Sequence, residues 1–416
     1  MRFTTPLLAG LAVVSAAPHS KSKYNKFQYE PITQIELGPR PYYLINDLDD
    51  GPLKKKLQSC SNDKMKTSKW SIAHRGGGTL QIPEHSVESA LAGARMGAGI
   101  LECDVAFTKD RQLVCRHSQC DLHTTTNIVN IPELNAKCTQ PFQAAANGKA
   151  ASAKCCTSDI TLKEFKTLCA KMDGANTTAT NTEDYLHGTL SWRTDLYGTC
   201  ATLLTLKEHI ALTDSLGLDF TPELKTPEVA MPFQGDYTQE IYAQQLIDEF
   251  KEMGIKPSRV WTQSFLYSDI LFWLKKEPKF GKQAVYLDEN GDTAETFPLA
   301  VKNLTQYKKD GVRIVAPPLS YLVTYNDKGE IVPSDYAIKA KKLGLDIISW
   351  SLERSPPISS GIDNDYYYSS IAKVLKKDGD IYKLVDVLWR QVGIIGLFSD
   401  WSATATYYAN CFKIKV

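Results

Sequence analysis

Two carboxylates separated by a single residue lie in the run Glu102-Cys103-Asp104. Alternate residues of a β-strand point to the same face of a sheet, so both carboxylates would share one face and Cys103 the other. Buried side by side, the two acids would repel each other unless a cation joined them. All-oxygen ligation favours a hard divalent ion, Ca²⁺ or Mg²⁺. The competing interpretation is a solvated acidic strand end that binds nothing.

Other charged side chains fall at the predicted ends of neighbouring strands. His74 and Arg75 precede three glycines, which would let the backbone approach a ligand closely, and the His–Arg pair suggests phosphate. Glu223 and Lys225 share one face at the end of a later strand. His117 follows a predicted hairpin and can return to the same place. Each signal is weak alone, but two histidines, three acids, an arginine and a lysine at successive strand ends seldom converge for packing reasons.

The elements that must position these residues are short β-rich segments that alternate with helical patterns. We predict strands at Trp70–His74, Gly99–Ala106, Leu218–Glu223, Arg259–Gln263, Lys282–Leu287, Val312–Ala316, Asp346–Trp350 and Ile394–Phe398. We predict helices at Ser86–Met96, Leu206–Leu216, Gln239–Met253, Tyr267–Lys275, Leu299–Lys308, Ser334–Leu343 and Tyr382–Gln391. Repeated strand–helix units favour an α/β fold of the (β/α)8 TIM-barrel type over a doubly wound open sheet.

One segment does not fit the alternation. Residues 107–200 hold six of the ten cysteines, and we interpret them as a cysteine-rich insertion after the second strand, within a barrel unit spanning 67–416. An insertion at that point emerges on the face where barrel enzymes place their active sites, so it would wall the pocket. Residues 18–66 are predicted to form an arm, which Cys60 is expected to tie to the barrel or to the insertion.

Composition excludes several classes of protein. The 416 residues are 43% hydrophobic, which provides for a large core and excludes disorder. Lys and Arg number 48 against 47 Asp and Glu, so the formal net charge of +1 offers no field to hold a polyanion. Nucleic acid is therefore not an expected partner.

The N-terminus predicts export. Met1 and Arg2 precede an apolar stretch followed by small residues, which fits a signal peptide over 1–17 and not a membrane span. Sequons at Asn176 and Asn303 agree with export. The even cysteine count then favours disulfides over zinc, because the adjacent pair Cys155-Cys156 lacks zinc spacing. No later segment is apolar enough to span a membrane, so we expect a secreted or wall-associated protein without integral membrane contact. An apolar first helix of a cytosolic protein is the alternative.

Taken together, these motifs make the sequence resemble the glycerophosphodiester phosphodiesterase family. The matching segments run in order from Trp70 to about Trp401: His74 to Gly76, Pro83 to Ser86, Gly97 to Asp110, His117, Glu223 to Lys225, Gln263 to Phe265 and Phe398 to Trp401. The resemblance implies a TIM barrel with an insertion after its second strand. It also implies metal-dependent hydrolysis of a small glycerophosphodiester to glycerol 3-phosphate and an alcohol.

The resemblance assigns roles residue by residue. It implies an acid–base pair, His74 and His117. It implies three ligands of one divalent cation, Ca or Mg: Glu102, Asp104 and Glu223. It implies phosphate binding by Arg75 and Lys225. The nucleophile is then either water or the neighbouring hydroxyl of the glycerol, and the second route passes through a cyclic phosphate.

The sequence departs from the family pattern at Ser118, where many members have Asp directly after the histidine. We consider Asp121 as a replacement for that carboxylate, with an ordinary surface acid as the alternative. Four further residues are candidates for supporting or pocket positions: Glu84, Phe265, Trp350 and Trp401. The three aromatic residues fall at strand ends, where barrel packing explains them equally well.

Two other functions compete. One is a lysophospholipase-D or sphingomyelinase-D type of enzyme that forms cyclic phosphates from lipid. The terminal run from Asp400 to Thr404 differs from the sphingomyelinase-D motif, and no strongly amphipathic basic helix is present. The other is a catalytically silent barrel that serves as an extracellular binding protein, although every charged motif position is intact.

Overall fold

A closed barrel of eight parallel strands forms the centre of the computed structural model, which describes residues 29–198, 200–362 and 365–415. The strands are β1 Ser68–Ala73, β2 Ala98–Phe107, β3 Asp219–Leu224, β4 Gln263–Ser264, β5 Val285–Leu287, β6 Ile314–Ala316, β7 Asp346–Leu352 and β8 Gly396–Ser399. Each strand pairs with its neighbours in sequence, and β1 closes the ring by pairing with both β2 and β8. The predicted TIM barrel is confirmed.

The inside of the barrel holds a separate hydrophobic cluster: Ile72, Ile100, Val285, Leu287, Ile314, Ala316, Ile348 and Phe398. Ile100, Glu102 and Asp104 share one face of β2 because side chains alternate along a strand. The same face that fills the barrel with Ile100 therefore delivers two acids to the carboxyl ends of the strands.

Helices cover the outside of the barrel. They are α1 Arg40–Asp47, α2 Pro52–Ser59, α3 Val87–Arg95, α4 Leu206–Ser215, α5 Gln239–Glu252, α6 Tyr267–Lys276, α7 Phe297–Lys309, α8 Asp335–Lys342, α9 Ile381–Val387 and α10 Ser402–Cys411. Hydroxyl side chains cap four of them by accepting a hydrogen bond from a first-turn N–H: Ser86, Thr205, Thr238 and Ser334. Their apolar faces pack on the outer barrel wall in one continuous core.

Several predicted boundaries differ from the structure by one to three residues, and two differ by four. Strand β4 was expected over 259–263 but occupies only Gln263–Ser264. Pro257 starts a 3₁₀ turn there, and the Arg259 guanidinium is held outside the barrel by Asp214 at 2.6 Å and Asp219 at 3.1 Å. The helix predicted over 382–391 is α-helical only to Val387, and the chain continues as a π-helical turn over Leu388–Val392.

The cysteine-rich segment between β2 and α4 has its own core. A strand at Leu113–Cys115 pairs antiparallel with β2. Beyond it, short helices and a hairpin surround a separate hydrophobic cluster: Leu122–Thr125, Pro132–Asn135, Leu162–Phe165, Thr182–Leu186, and strands Gln140–Gln143 and Ser152–Lys154. Three disulfides stay within this segment: Cys120–Cys156, Cys138–Cys155 and Cys169–Cys200. Its assignment to 107–200 as a separate unit stays a prediction.

The arm packs on the barrel unit. Leu44 and Leu57, on α1 and α2, are buried in the same core as the barrel helices. Cys60 is bonded to Cys411 at the end of α10, so the expected link from Cys60 to the barrel is confirmed. The predicted signal peptide, 1–17, lies outside the described residues. Among the described helices, none combines the length and hydropathy needed to cross a bilayer.

Candidate active site

Strand register brings three carboxylates together at the barrel mouth. Asp104 lies opposite Glu223, and Glu223 lies opposite Gln263 on the next strand. Glu102, Asp104 and Glu223 are buried, and each offers an oxygen within 4.8 Å of the others. Burial, and then the two neighbouring acids, raise the pKa of Glu102 well above its usual value. Burial also raises the pKa of Glu223, to about 8, with Lys225 opposing the rise.

This donor set fits a divalent cation. Asp104 Oδ1 is buried and has no hydrogen-bond partner among the described residues, although its other oxygen lies 2.8 Å from His85 Nε2. Gln263 Nε2 donates to Glu102 Oε1 at 2.9 Å. An unpartnered buried carboxylate oxygen in a cluster of hard ligands is what a Ca²⁺ or Mg²⁺ site requires.

His74 directly follows β1, and contacts to its Nδ1 atom hold the ring in place. Its Nδ1 contacts the Asp400 carboxylate and lies 2.8 Å from Ser351 Oγ. A hydrogen on Nδ1 donated to that carboxylate leaves Nε2 as the atom available for proton transfer. Burial lowers the pKa of His74 to about 4, although Asp400 opposes the shift. The imidazole is therefore neutral at pH 7.

Asp400 is itself held by two arginines from distant parts of the chain. Arg193 Nη2, in the cysteine-rich segment, lies 2.9 Å from its Oδ2, and Arg354 Nη1, after β7, lies 3.2 Å from the same oxygen. Burial alone would raise the pKa of Asp400, but Arg354, His74 and Arg193 hold it well below the usual range. Asp400 therefore remains a carboxylate and orients His74.

His117 reaches the same cavity from the hairpin that extends β2. The disulfide Cys103–Cys115 and a hydrogen bond from Arg116 N to Asp104 O (2.7 Å) fix that hairpin. The His117 imidazole makes no hydrogen bond with the described part of the chain. Burial, then Arg75 and Lys225, lower its pKa well below the usual value.

Asp121 does not hold His117. Its Oδ2 accepts a hydrogen bond from Ser118 N at 3.2 Å, and no hydrogen bond joins it to the imidazole. Burial raises the pKa of Asp121 to about 7. Asp121, which we considered as a replacement for the family carboxylate, therefore holds the backbone at Ser118 and not the His117 ring.

The two predicted phosphate ligands are anchored by carboxylates. Arg75 Nη1 donates to both Glu84 oxygens, at 3.0 and 3.2 Å, and Lys225 Nζ lies 2.5 Å from Glu223 Oε1. Glu84 is buried behind Arg75 and outside the cavity lining, so it positions the guanidinium.

Two of the glycines after Arg75 lie close to side chains of neighbouring helices. Gly77 has a φ of 79°, and a Cβ there would lie 2.2 Å from Ser402 Oγ; a Cβ on Gly76 would lie 2.5 Å from Ser89 Oγ. These residues make room for α10 and α3, and a close ligand approach at the glycine triplet stays a prediction.

Eleven residues line the inner cavity at the mouth, about 50 Å³ in volume: His74, Arg75, Glu102, His117, Glu223, Gln263, Phe265, Leu287, Trp350, Tyr367 and Phe398. Phe265 and Trp350 meet edge to face with centroids 5.6 Å apart. Trp401 instead packs against the core between barrel and helices and lines neither this cavity nor the one above it.

Sequence reasoning missed several supporting residues. His85, Gln263 and Asp400 stood inside the quoted motifs, so their signal was present but no role was assigned. Arg193, Arg354 and Tyr367 lie in segments without a motif, and the sequence held no signal for them.

Comparison with known proteins decides the family. The glycerophosphoryl diester phosphodiesterase family matches residues 74–354, which is more than half of the chain. The chain belongs to this family. A protein of Arthroderma benhamiae named "Extracellular protein" is 49% identical over 245 residues, covering 58% of this chain and 100% of the relative.

Two more distant matches agree. "Glycerophosphodiester phosphodiesterase GDPD6" of Arabidopsis thaliana is 23% identical over 387 residues, covering 89% of this chain and 91% of the relative. A solved Silicibacter pomeroyi structure, named for a glycerophosphoryl diester phosphodiesterase, is 15% identical, with a TM-score of 0.52, and covers 86% of this chain and 98% of that chain. The last match shows a shared barrel fold.

Proposed function

We propose that this protein hydrolyses glycerophosphodiesters to glycerol 3-phosphate and an alcohol. One observation carries the proposal: two imidazoles, two carboxylates and a guanidinium line a single cavity at the barrel mouth. Such a set can bind a phosphodiester and move protons on both sides of its phosphorus. Membership of the phosphodiesterase family supports the same class of reaction.

Glu102, Asp104 and Glu223 would hold one divalent cation, Ca²⁺ or Mg²⁺. When bound, that ion neutralises charge on the phosphoryl oxygens. Arg75 and Lys225 bind the same oxygens, and their carboxylate partners keep both cations at the mouth.

The histidines divide the proton transfers. One imidazole removes a proton from the nucleophile, which is water or the neighbouring hydroxyl of the glycerol, and the other protonates the leaving oxygen. Asp400 supports His74 by accepting a hydrogen bond from Nδ1, which leaves Nε2 free for proton transfer, and by stabilising positive charge on the ring. Each transfer contributes typically about 10²–10⁴-fold to the rate.

We also propose that the protein works outside the cell. All ten cysteines form disulfides in the structure, and such bonds persist in oxidising compartments. The Arthroderma benhamiae relative bears the name "Extracellular protein". The predicted signal peptide at 1–17 and N-glycosylation at Asn176 and Asn303 belong to the same proposal.

The test is hydrolysis of glycerophosphocholine, glycerophosphoinositol and lysophosphatidylcholine by the purified protein, with Ca²⁺, Mg²⁺ or chelator. His74→Ala and Glu102→Ala are the test variants, and His187→Ala is the control because its side chain is exposed and lines neither the inner cavity nor the one above it. Metal-dependent release of glycerol 3-phosphate, lost in both test variants only, is the expected result.

Other outcomes identify the competing functions. Preferred turnover of lysophosphatidylcholine with a cyclic phosphate product would indicate a lipid-directed enzyme. Folded protein that turns over no diester with any metal would overturn the proposal in favour of a binding protein.

A further inference from the structure

A larger cavity opens directly above the inner one. It has a volume of about 510 Å³ and shares five lining residues with the inner cavity: Arg75, His117, Phe265, Trp350 and Tyr367. Its remaining lining comprises Lys225, Thr226, Glu228, Glu289, Asp292 and Tyr366. We call this space the outer cavity. A substrate whose phosphate reaches the inner cavity must extend its alcohol through the outer one.

Four aromatic rings form one wall of the outer cavity and meet around Trp350. Phe265 and Tyr367 stand nearly perpendicular to the Trp350 ring, at 82° and 80°, with centroids 5.6 and 6.0 Å away. Tyr366 stacks on Trp350 at 6.1 Å and meets Tyr367 edge to face at 5.3 Å. Rings set nearly at right angles can present π faces in two directions, and an aromatic face attracts a cation without hydrogen bonds.

The three acids of the outer cavity, Glu228, Glu289 and Asp292, are not all paired with cations. Glu289 makes no hydrogen bond or ion pair with the described part of the chain. Asp292 Oδ1 accepts hydrogen bonds from two neutral hydroxyls, those of Tyr321 at 2.7 Å and Tyr366 at 2.8 Å. Glu228 pairs with Lys154 at 3.5 Å. Burial and Asp292 raise the pKa of Glu289, and nearby Lys225 opposes the rise. Because Lys225 itself pairs with Glu223, this side of the cavity carries excess negative charge beside aromatic faces.

Positive charge enters this space at two residues. Arg75 lines both cavities, and Lys225 lines the outer one, with its Nζ 5.5 Å from the Phe265 ring centroid. The combined space is thus positive where the phosphate binds and negative and aromatic where the alcohol emerges. That polarity matches a zwitterion, a phosphodiester whose alcohol bears a positive charge.

We propose that the outer cavity is a subsite for a quaternary ammonium alcohol of the choline type, and that it makes the enzyme selective for zwitterionic diesters. The proposal rests on the proposed diester hydrolysis and adds its substrate. A quaternary ammonium has no N–H to donate, so aromatic faces and nearby carboxylates are the groups that recognise it. A neutral polyol such as inositol needs hydrogen-bonding partners, and the four rings offer mainly π surface.

The decisive comparison uses two substrates of the same shape. Glycerophosphocholine is compared with the glycerophosphodiester of 3,3-dimethylbutanol, in which a carbon replaces the nitrogen and removes the charge. We expect kcat/KM to favour glycerophosphocholine by about tenfold, the size of a partly desolvated cation–π contact. Glycerophosphoethanolamine carries a primary ammonium that can donate hydrogen bonds. Comparing its kcat/KM with that of glycerophosphocholine distinguishes a general preference for cations from a preference for the quaternary group.

Matched variants assign the preference to the outer cavity. Tyr366→Leu should reduce the ratio between the two substrates by about threefold, whereas Tyr366→Phe should keep it because the ring remains. Glu289→Gln should lower turnover of the choline diester alone, and the loss should shrink at high salt. Tyr325→Leu is the control, because this exposed aromatic residue lines neither cavity.

The outcomes separate this proposal from the one beneath it. Equal kcat/KM for the two isosteric diesters, both hydrolysed, would overturn the subsite and leave the hydrolase intact. If no diester is hydrolysed, calorimetry with phosphocholine and 3,3-dimethylbutyl phosphate tests the subsite alone. Tighter binding of phosphocholine, weakened by Tyr366→Leu, would support it, and equal or absent binding would overturn it.

Discussion

The two sides of the barrel mouth are built differently. The charged arc follows β1 to β3 and comprises His74, Arg75, Glu102, Asp104, His117, Glu223 and Lys225. The aromatic arc follows β4 and β7 and comprises Phe265, Trp350, Tyr366 and Tyr367. Hydrogen bonds between side chains brace most of the charged arc, as in the pairs Arg75–Glu84 and Gln263–Glu102. Ring contacts join the members of the aromatic arc, and hydrogen bonds from Tyr366 and Trp350 anchor it to Asp292 and to the Ala316 carbonyl.

Under the proposed function, this difference separates proton transfer and metal binding from recognition of the alcohol. Proton transfer and metal binding require atoms held in one geometry, and the hydrogen bonds of the charged arc provide it. Contact with an alcohol tolerates small displacements of a ring. Substitutions in the charged arc should therefore lower kcat, while those in the aromatic arc should mainly raise KM.

The largest effect is expected for His117→Ala. This imidazole is one of the two proposed proton carriers, so kcat for glycerophosphocholine should fall by about 10²–10⁴-fold. Because His117 makes no hydrogen bond with the described residues, the melting temperature should change little. Steady-state kinetics beside a thermal melt provide the measurement, and a change confined to KM would contradict the division between the arcs.

Arg193→Ala tests whether the cysteine-rich segment contributes to the charged arc. Arg193 contacts Asp400, which orients His74, so its loss should lower kcat by about tenfold to a hundredfold with KM nearly constant. Arg193→Lys should restore part of the rate. Arg390→Ala is the control, since this exposed arginine pairs with Asp386 on the outside of the barrel. An unchanged kcat would limit the segment to a structural role.

Phe265→Leu should show the opposite kinetic pattern. Leucine keeps the site apolar but removes the ring that faces Trp350 and lies 5.5 Å from Lys225 Nζ. We expect KM for glycerophosphocholine to rise by about fivefold, with kcat changed less than about twofold. A loss of kcat without a change in KM would place this ring with the charged arc.

The smallest effect is expected for Asp121→Asn, outside both arcs. Burial raises the pKa of Asp121 to about 7 from an ordinary 3.8, so the folded state prefers the neutral acid. The stabilisation from that preference is complete below about pH 4 and is lost as the pH rises through 7. Asparagine stays neutral and can still accept the Ser118 hydrogen bond. It should raise the melting temperature by about 2 °C more at pH 8 than at pH 5. Equal gains at both values would contradict the assigned titration.

The two arcs also differ in how far sequence alone could predict them. Alternation along β2 placed Glu102 and Asp104 on one face, and the motifs identified His74 and Glu223, because each signal lies within a few residues of its strand. Arg193 and Arg354 act on Asp400 from remote segments, and only barrel closure brings them together. Tyr366 and Tyr367 lie well beyond the end of β7, in a segment whose position no periodic pattern in the sequence predicts. The two-residue strand β4 was misplaced because tertiary pairing, rather than local preference, defines it.

The bond between Cys60 and Cys411 makes the polypeptide from one to the other a covalent ring that contains every barrel strand. A single cut by an extracellular protease in any loop of that ring cannot release a fragment. The two pieces stay covalently joined through the disulfide. They therefore keep the lower entropy cost of association that one chain has over two separate chains. On a gel, such a nicked molecule would run as one species until a reducing agent separates it. The Cys60–Cys411 disulfide therefore protects the barrel against the consequences of cleavage, although it does not prevent the cut.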